Sequence, residues 1–208
     1  MGGQVAPQTK GVTKMKNEEL ESKKRAIELW DTKAIEQIEV GTIKGLQQIH
    51  FYLFQDVFDF AGKIRTVNLA KGNFRFAPTL FLEQNLKIID KMPEKTFEEI
   101  IEKYVEMNVA HPFREGNGRA TRIWLDLILK KAIEQCIDWQ KVDKYSYLQA
   151  MERSPINDLE IKTLLRSALT SDIANREVYM RGIQQSYIYE NQNEYDIKKI
   201  IITNKINL

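Results

Sequence analysis

The stretch HPFREGNGRATR, residues 111–122, decides how the chain is read. Ahead of it, Phe97, Ile100, Ile101, Tyr104 and Val105 share one helical face, and Thr96 with Glu99 has the spacing of a capping box. Pro112 disfavours α geometry in the residue before it, so that helix is expected to stop near His111. Behind it, TRIWLDLILKKAIEQ is apolar on most sides, the mark of a central helix covered by others. Between the two helices lie one histidine, one carboxylate, two glycines flanking an asparagine, and three arginines.

Working outward, the flanks are helical as well. NEELESKKRAIELW, from Asn17, predicts a helix ending near Asp31. Leu46, Ile49, Leu53 and Phe54 predict a buried helix with His50 as a structural histidine inside it. IRTVNLAKGNFRFAP breaks the pattern. Val67 and Leu69 alternate before Lys71-Gly72-Asn73, and Phe74 and Phe76 alternate after it, which predicts a short β-hairpin closed by Pro78. Helices resume at Thr96 and continue through YSYLQAMER, DLEIKTLLRSAL and REVYMRGIQQSYIYE. The fold class expected is all-α, with one hairpin that must lean on the helices because a lone hairpin is marginal in water. Residues 1–15 read as a disordered lead-in, 16–195 as one domain, and 196–208 as a tail of strand-like composition without a placed partner.

Bulk properties narrow the function. The chain has 208 residues, 43% hydrophobic and 29% charged, as in soluble globular proteins. The 31 basic and 29 acidic residues leave a net charge of +2, so no whole-molecule field favours nucleic acid and any basic site is local. The single cysteine, Cys136, excludes an internal disulfide framework and reads as a small buried residue. There is no apolar run long enough to span a membrane and no signal-peptide core, so a cytoplasmic location is the expectation.

The loop has the ingredients of an anion site. The first N–H groups of the second helix have no intrahelical acceptors, and the helix dipole adds positive potential there. Gly116 and Gly118 permit close backbone approach, and Arg119 and Arg122 add charged donors one turn apart, which suits a di- or triphosphate. Glu115 makes sense beside phosphates if it helps hold Mg²⁺. His111, on the other lip, is positioned to take a proton from a hydroxyl. No Walker A pattern or zinc-type cluster is present. From the residues alone, a nucleotide-dependent transferase or hydrolase follows.

The same dozen residues resemble the signature of Fic-domain proteins, His-x-Phe-x-(Asp/Glu)-Gly-Asn-Gly-Arg-x-x-Arg, at every defining position. FAGKIRTVNLAKGNFRFAP is similar to the segment leading into that family's flap hairpin, and the likeness covers roughly residues 20–195. The resemblance implies a helical fold and transfer of AMP from ATP to a Tyr, Thr or Ser hydroxyl of a target protein. It implies His111 as general base, Glu115 as the Mg²⁺ ligand, and Gly116, Asn117, Gly118 and Arg119 as the phosphate pocket, with Arg122 on the γ-phosphate. Phe113 is expected to point into the core. The flap, Lys71, Gly72, Asn73 and Phe74, would pair with an extended piece of the target and cover the nucleotide. Tyr147 is a minor candidate for the adenine wall against an ordinary core role.

In the last helix, SYIYEN (186–191) resembles the family's inhibitory motif (Ser/Thr)-x-x-x-Glu-(Gly/Asn) and indicates the single-domain class with its own C-terminal brake, about residues 176–191. Ser186 and Glu190 share a helix face, with Asn191 completing the motif. The implied mechanism is that Glu190 pairs with Arg122 in place of the γ-phosphate. Self-modification at Tyr187 or Tyr189 is an expectation, and a homo-oligomer is open because related proteins of this class can self-associate. Removal of AMP, a bifunctional enzyme, transfer from another nucleotide, and a nucleotide-sensing interaction module are the alternatives.

Overall fold

The computed structural model describes residues 10–71 and 74–201, with nothing stated of the side chains of residues 10–17. Its α-helices, among the described residues, are α1 (Lys10–Asp31), α2 (Ile43–Phe54), α3 (Thr79–Asp90), α4 (Phe97–Ala110), α5 (Asn117–Ile133), α6 (Lys144–Arg153), α7 (Leu159–Ser167) and α8 (Arg176–Tyr189). None of them is long and apolar enough to cross a membrane. Two short antiparallel pairs complete the fold. They are β1 (Ala70–Lys71) with β2 (Phe74–Arg75), and β3 (Cys136–Ile137) with β4 (Leu169–Thr170).

α5 is the axis. It packs against α4, α2 and α8, and most of its first three turns is buried, from Asn117 through Leu129. Trp124 is fully buried, and its indole N–H donates to the Thr42 carbonyl at 3.0 Å, which ties the middle of α5 to the start of α2. Thr42 in turn caps α2 by accepting from the Gly45 N–H. α1 covers α2 and α8, α3 lies on α4, and α6 bridges α7 and α8. α4 opens on the expected capping box, with Thr96 accepting from the Glu99 N–H and Glu99 from the Thr96 N–H.

Four features depart from the pattern read in the sequence. α3 lies between Pro78, where the hairpin is expected to close, and Thr96, where helices are expected to resume. Pro78 is its N-cap rather than a breaker, and Leu82, Leu86 and Ile89 supply the buried stripe. The pair β3–β4 has two residues per strand, too short to show alternation. α1 begins at Lys10, inside the stretch assigned to the lead-in, since extending a formed helix costs far less than starting one; residues 1–9 lie outside the described residues. The tail, strand-like in composition, makes a 3-10 turn at Ile197–Lys199 with Ile197 buried; residues 202–208 lie outside the described residues.

Removing the reciprocal cap tests the start of α4. Thr96→Ala is expected to lower unfolding stability by about 1 kcal/mol, read as a fall in the urea midpoint at unchanged slope.

Candidate active site

α4 ends in a turn that few residues tolerate. His111 has φ 48 and ψ 62, the left-handed region, which lets the chain leave the helix at Ala110 and reach the start of α5 directly. Its Nδ1 lies 3.3 Å from the Asn108 carbonyl. A carbonyl can only accept, so Nδ1 carries the proton and Nε2 is left with its lone pair. The ring stacks on Phe76 of the hairpin's second stem at 3.7 Å and 16°. Burial pushes the imidazole pKa down to about 4, and the nearby Arg65 cation acts in the same direction. His111 is therefore neutral at pH 7.

The loop beyond it is braced from below. Phe113 is fully buried, as expected, and stacks on His50 at 3.8 Å. His50 Nδ1 accepts from the Gly62 N–H at 2.9 Å, so Nε2 holds the proton and donates to the Glu115 carbonyl at 2.8 Å. Burial lowers this histidine to about 4 as well, which preserves the neutral tautomer that both bonds need. Gly116 follows at φ 79, where a Cβ would lie 2.5 Å from the Phe54 ring. Only glycine meets both conditions without strain.

Gly116 is the N-cap of α5, so the N–H groups of Asn117, Gly118 and Arg119 form its open first turn. The side chains differ from expectation at two of these positions. Asn117 spends its amide on Phe113, accepting from its N–H and donating to its carbonyl, both at 2.8 Å. The Arg119 guanidinium turns away into the protein. It is buried, pairs with Glu18 at 2.7 Å, donates to Gln192 at 2.9 Å, and lies between the rings of Phe54 and Tyr187. It is not a free donor beside the loop. It ties the start of α5 to α1 and to the segment after α8. Glu115 stays largely exposed, 3.4 Å from Arg119 and with one carboxylate oxygen on the Gly116 N–H.

Arg122 remains at the cradle and is held by α8. Its Nε donates to Ser186 Oγ at 2.7 Å, and one terminal nitrogen reaches both the Ser186 carbonyl at 3.0 Å and Glu190 Oε1 at 3.1 Å. Glu190 lies over Gly118, where an added Cβ would come within 2.7 Å of its carboxylate, and Lys71 of the hairpin lies 3.8 Å from its other oxygen. Burial works against the Glu190 charge, but Arg122 and Lys71 outweigh it and hold the carboxyl below its ordinary range. Asn191 explains its own presence. At φ 59 it is left-handed, its N–H bonds the Ile188 carbonyl, and the Gln192 N–H bonds that of Tyr187, a Schellman ending that glycine or asparagine accepts most easily.

The two tyrosines of this helix do not lie open to modification. Tyr187 donates its hydroxyl to Ser22 at 2.6 Å and Tyr189 to the Val142 carbonyl at 2.7 Å, and both side chains are buried. They are packing groups that seat α8. Tyr147 is likewise a core aromatic, stacked on Tyr189 and hydrogen-bonded to Tyr104. At the hairpin, Ala70 pairs with Arg75 and Lys71 with Phe74, while Gly72 and Asn73 lie outside the described residues. Among the described residues no group of three or more His, Cys, Asp or Glu side chains could hold a metal by itself.

Comparison with known proteins gives the family and the fold. The Fic/DOC family model matches residues 41–129, from the approach to α2 through most of α5. The probable protein adenylyltransferase Fic of Escherichia coli K12 is 31% identical over 155 residues, covering 67% of this chain and 77% of that protein. The chain belongs to the Fic/DOC family. A further relative, the protein adenylyltransferase VbhT of Bartonella schoenbuchensis, is 32% identical over 64% of this chain and 30% of its own. The Fic fold is shared with the N-terminal Fic domain of a Bartonella sp. AR 15-3 effector, at TM-score 0.64, 19% identity, and 82% and 90% coverage of the two chains. The BepC protein of Bartonella tribocorum, solved with bound AMPPNP, matches at TM-score 0.60 and 18% identity over 81% of this chain and 94% of that one.

The protonation states are directly measurable, because the chain has only two histidines. Both imidazoles are expected to titrate near pH 4 when followed by their Cε1–H resonances. A signal titrating at the ordinary 6.5 that is lost in His111→Ala would refute the neutral, pre-set base.

Proposed function

We propose that the chain is a protein adenylyltransferase that transfers AMP from ATP to a hydroxyl side chain of a target protein and is restrained by Glu190. The observation that carries the reading is the Arg122–Glu190 pair at 3.1 Å, set on the open first turn of α5 beside a neutral histidine. An anion site that holds an internal anion is suited to competition with a phosphate.

The residues divide the work. The N–H groups of Gly118 and Arg119, with Gly116 and Asn117 shaping the turn, cradle the phosphate chain, and Arg122 takes the γ-phosphate once Glu190 withdraws. His111 Nε2 accepts the proton of the target Tyr, Thr or Ser hydroxyl. Its oxygen then bonds the α-phosphorus as the bond to the bridging oxygen breaks and pyrophosphate leaves. Glu115, a lone exposed carboxylate at the cradle's edge, fits Mg²⁺ bound mainly by phosphates and water rather than by a protein cage. Such an ion would neutralise charge on the phosphates. The hairpin offers the edge along Lys71 and Phe74 to an extended target segment. Positioning and fixed charges supply most of the rate. The working unit spans residues 16–195.

Glu190→Gly is expected to raise AMP transfer by roughly 5–150-fold, the span of a coupling of 1–3 kcal/mol. His111→Ala in the same background should cost about 10²–10⁴-fold, the worth of a general base. Both are read as label entering protein bands of a bacterial lysate incubated with [α-³²P]ATP and Mg²⁺. Labelling by Glu190→Gly at the wild-type level would sink the brake.

A further inference from the structure

Among the described residues, Arg65 is a buried cation with no carboxylate partner. It lies between α2 and β1, is 3% exposed, and burial alone pulls its pKa downward. An unpaired guanidinium in the interior is costly unless its N–H groups are all well used. Here they converge on four backbone carbonyls. Nε donates to His111 at 2.7 Å and one terminal nitrogen to Val67 at 2.7 Å. The other reaches Ala77 at 2.5 Å and Ala110 at 3.1 Å.

These acceptors fall into two groups. Ala110 and His111 are the last carbonyls of α4, which lack intrahelical donors and stand at the negative end of the helix dipole. Val67 and Ala77 are the two stems of the hairpin, one before β1 and one after β2. The planar fork spans both groups at once. Two backbone bonds run alongside it, from the Arg65 N–H to Pro112 at 2.8 Å and from the Ala77 N–H to Val109 at 3.0 Å. The hairpin itself has only two residues per strand, too little to hold its place unaided.

We infer that Arg65 is a positioning residue that fixes the substrate-docking hairpin relative to the His111 imidazole. The inference rests on the AMP-transfer reading, in which the hairpin presents the target hydroxyl and His111 Nε2 accepts its proton. Arg65 touches neither the first turn of α5 nor Arg122, so its removal misaligns the target and leaves ATP binding intact. Lysine keeps the charge but replaces a planar fork by a compact ammonium that cannot serve four divergent carbonyls. Glutamine removes the charge as well.

Arg65→Lys and Arg65→Gln are made in the Glu190→Gly chain and compared with that parent. Four readouts are taken: thermal unfolding, ATP affinity by calorimetry, the rate of label transfer from [α-³²P]ATP into the most strongly labelled lysate band, and histidine and hairpin NMR signals. The expected result for Arg65→Lys is transfer about 100-fold slower, the cost of a misplacement near 1 Å, with ATP affinity within about twofold. The amide signals of Lys71, Phe74 and Arg75 should shift. The His111 titration should stay low in Arg65→Lys and move up in Arg65→Gln, since the Arg65 charge helps hold it down. The inference is overturned if folded Arg65→Lys transfers AMP at the parent rate, or loses ATP affinity in proportion to rate. A parent that labels nothing would refute the transferase reading instead, and unmoved hairpin amides in Arg65→Lys would then overturn the role of Arg65 on their own.

Discussion

Everything at this site depends on how the chain passes from Ala110 to Asn117. α4 and α5 are both buried, so the link between them must turn sharply and still leave the first amides of α5 uncovered. Two left-handed residues do this, His111 at φ 48 and Gly116 at φ 79. The strain at the histidine is of order 1–2 kcal/mol, and it persists because the neighbouring packing over-determines the turn. Phe113 is the plug, His50 grips the Glu115 carbonyl, and Asn117 closes a reciprocal pair with Phe113. Each brace is neutral. The positive potential at the cradle comes from the helix end, Arg122 and Lys71 of the hairpin.

That potential explains why the pocket holds the Glu190 carboxylate, the restraint proposed above. A buried arginine beside the open first turn of α5 favours an anion, and the Glu190 carboxylate provides one. Ser186 adds two oxygens from the same helix, so Arg122 remains well solvated by protein with or without ligand. On the proposed reading, one carboxylate and one phosphate compete for that donor set. α8 is fastened on its far side too. Glu19 accepts from the Glu194 and Tyr195 N–H groups, Lys23 donates to Gln184 and the Tyr195 carbonyl, and Arg119 links Glu18 to Gln192.

Local periodicity made much of this legible. The stripes of α2 and α4, the all-round burial of α5, the hairpin and the helix bearing Ser186 and Glu190 follow from spacing alone, and the dense loop signature pointed to its chemistry. What escaped was long-range. Arg119 meets Glu18 across 101 residues and Arg65 meets His111 across 46, and no local pattern distinguishes such arginines from exposed ones. Composition suggested two cationic donors for phosphate, whereas packing kept Arg122 there and turned Arg119 inward. The tyrosines of α8 were misjudged for the same reason. Their nearness to the site is real, yet their hydroxyls point to Ser22 and Val142. α3 was hidden by Pro78, whose fixed φ suits a helix entrance as well as a hairpin exit.

Asn191 carries one further consequence. Because the Schellman turn begins immediately beyond Glu190, the carboxylate hangs from the last rung of α8, where helices fray first. Unwinding that single rung would swing the Glu190 carboxylate out while Tyr187 and the rest of the helix kept their seats. On the proposed reading, the restraint would then be released by melting a fraction of a turn, with no need for an entire helix to dislodge.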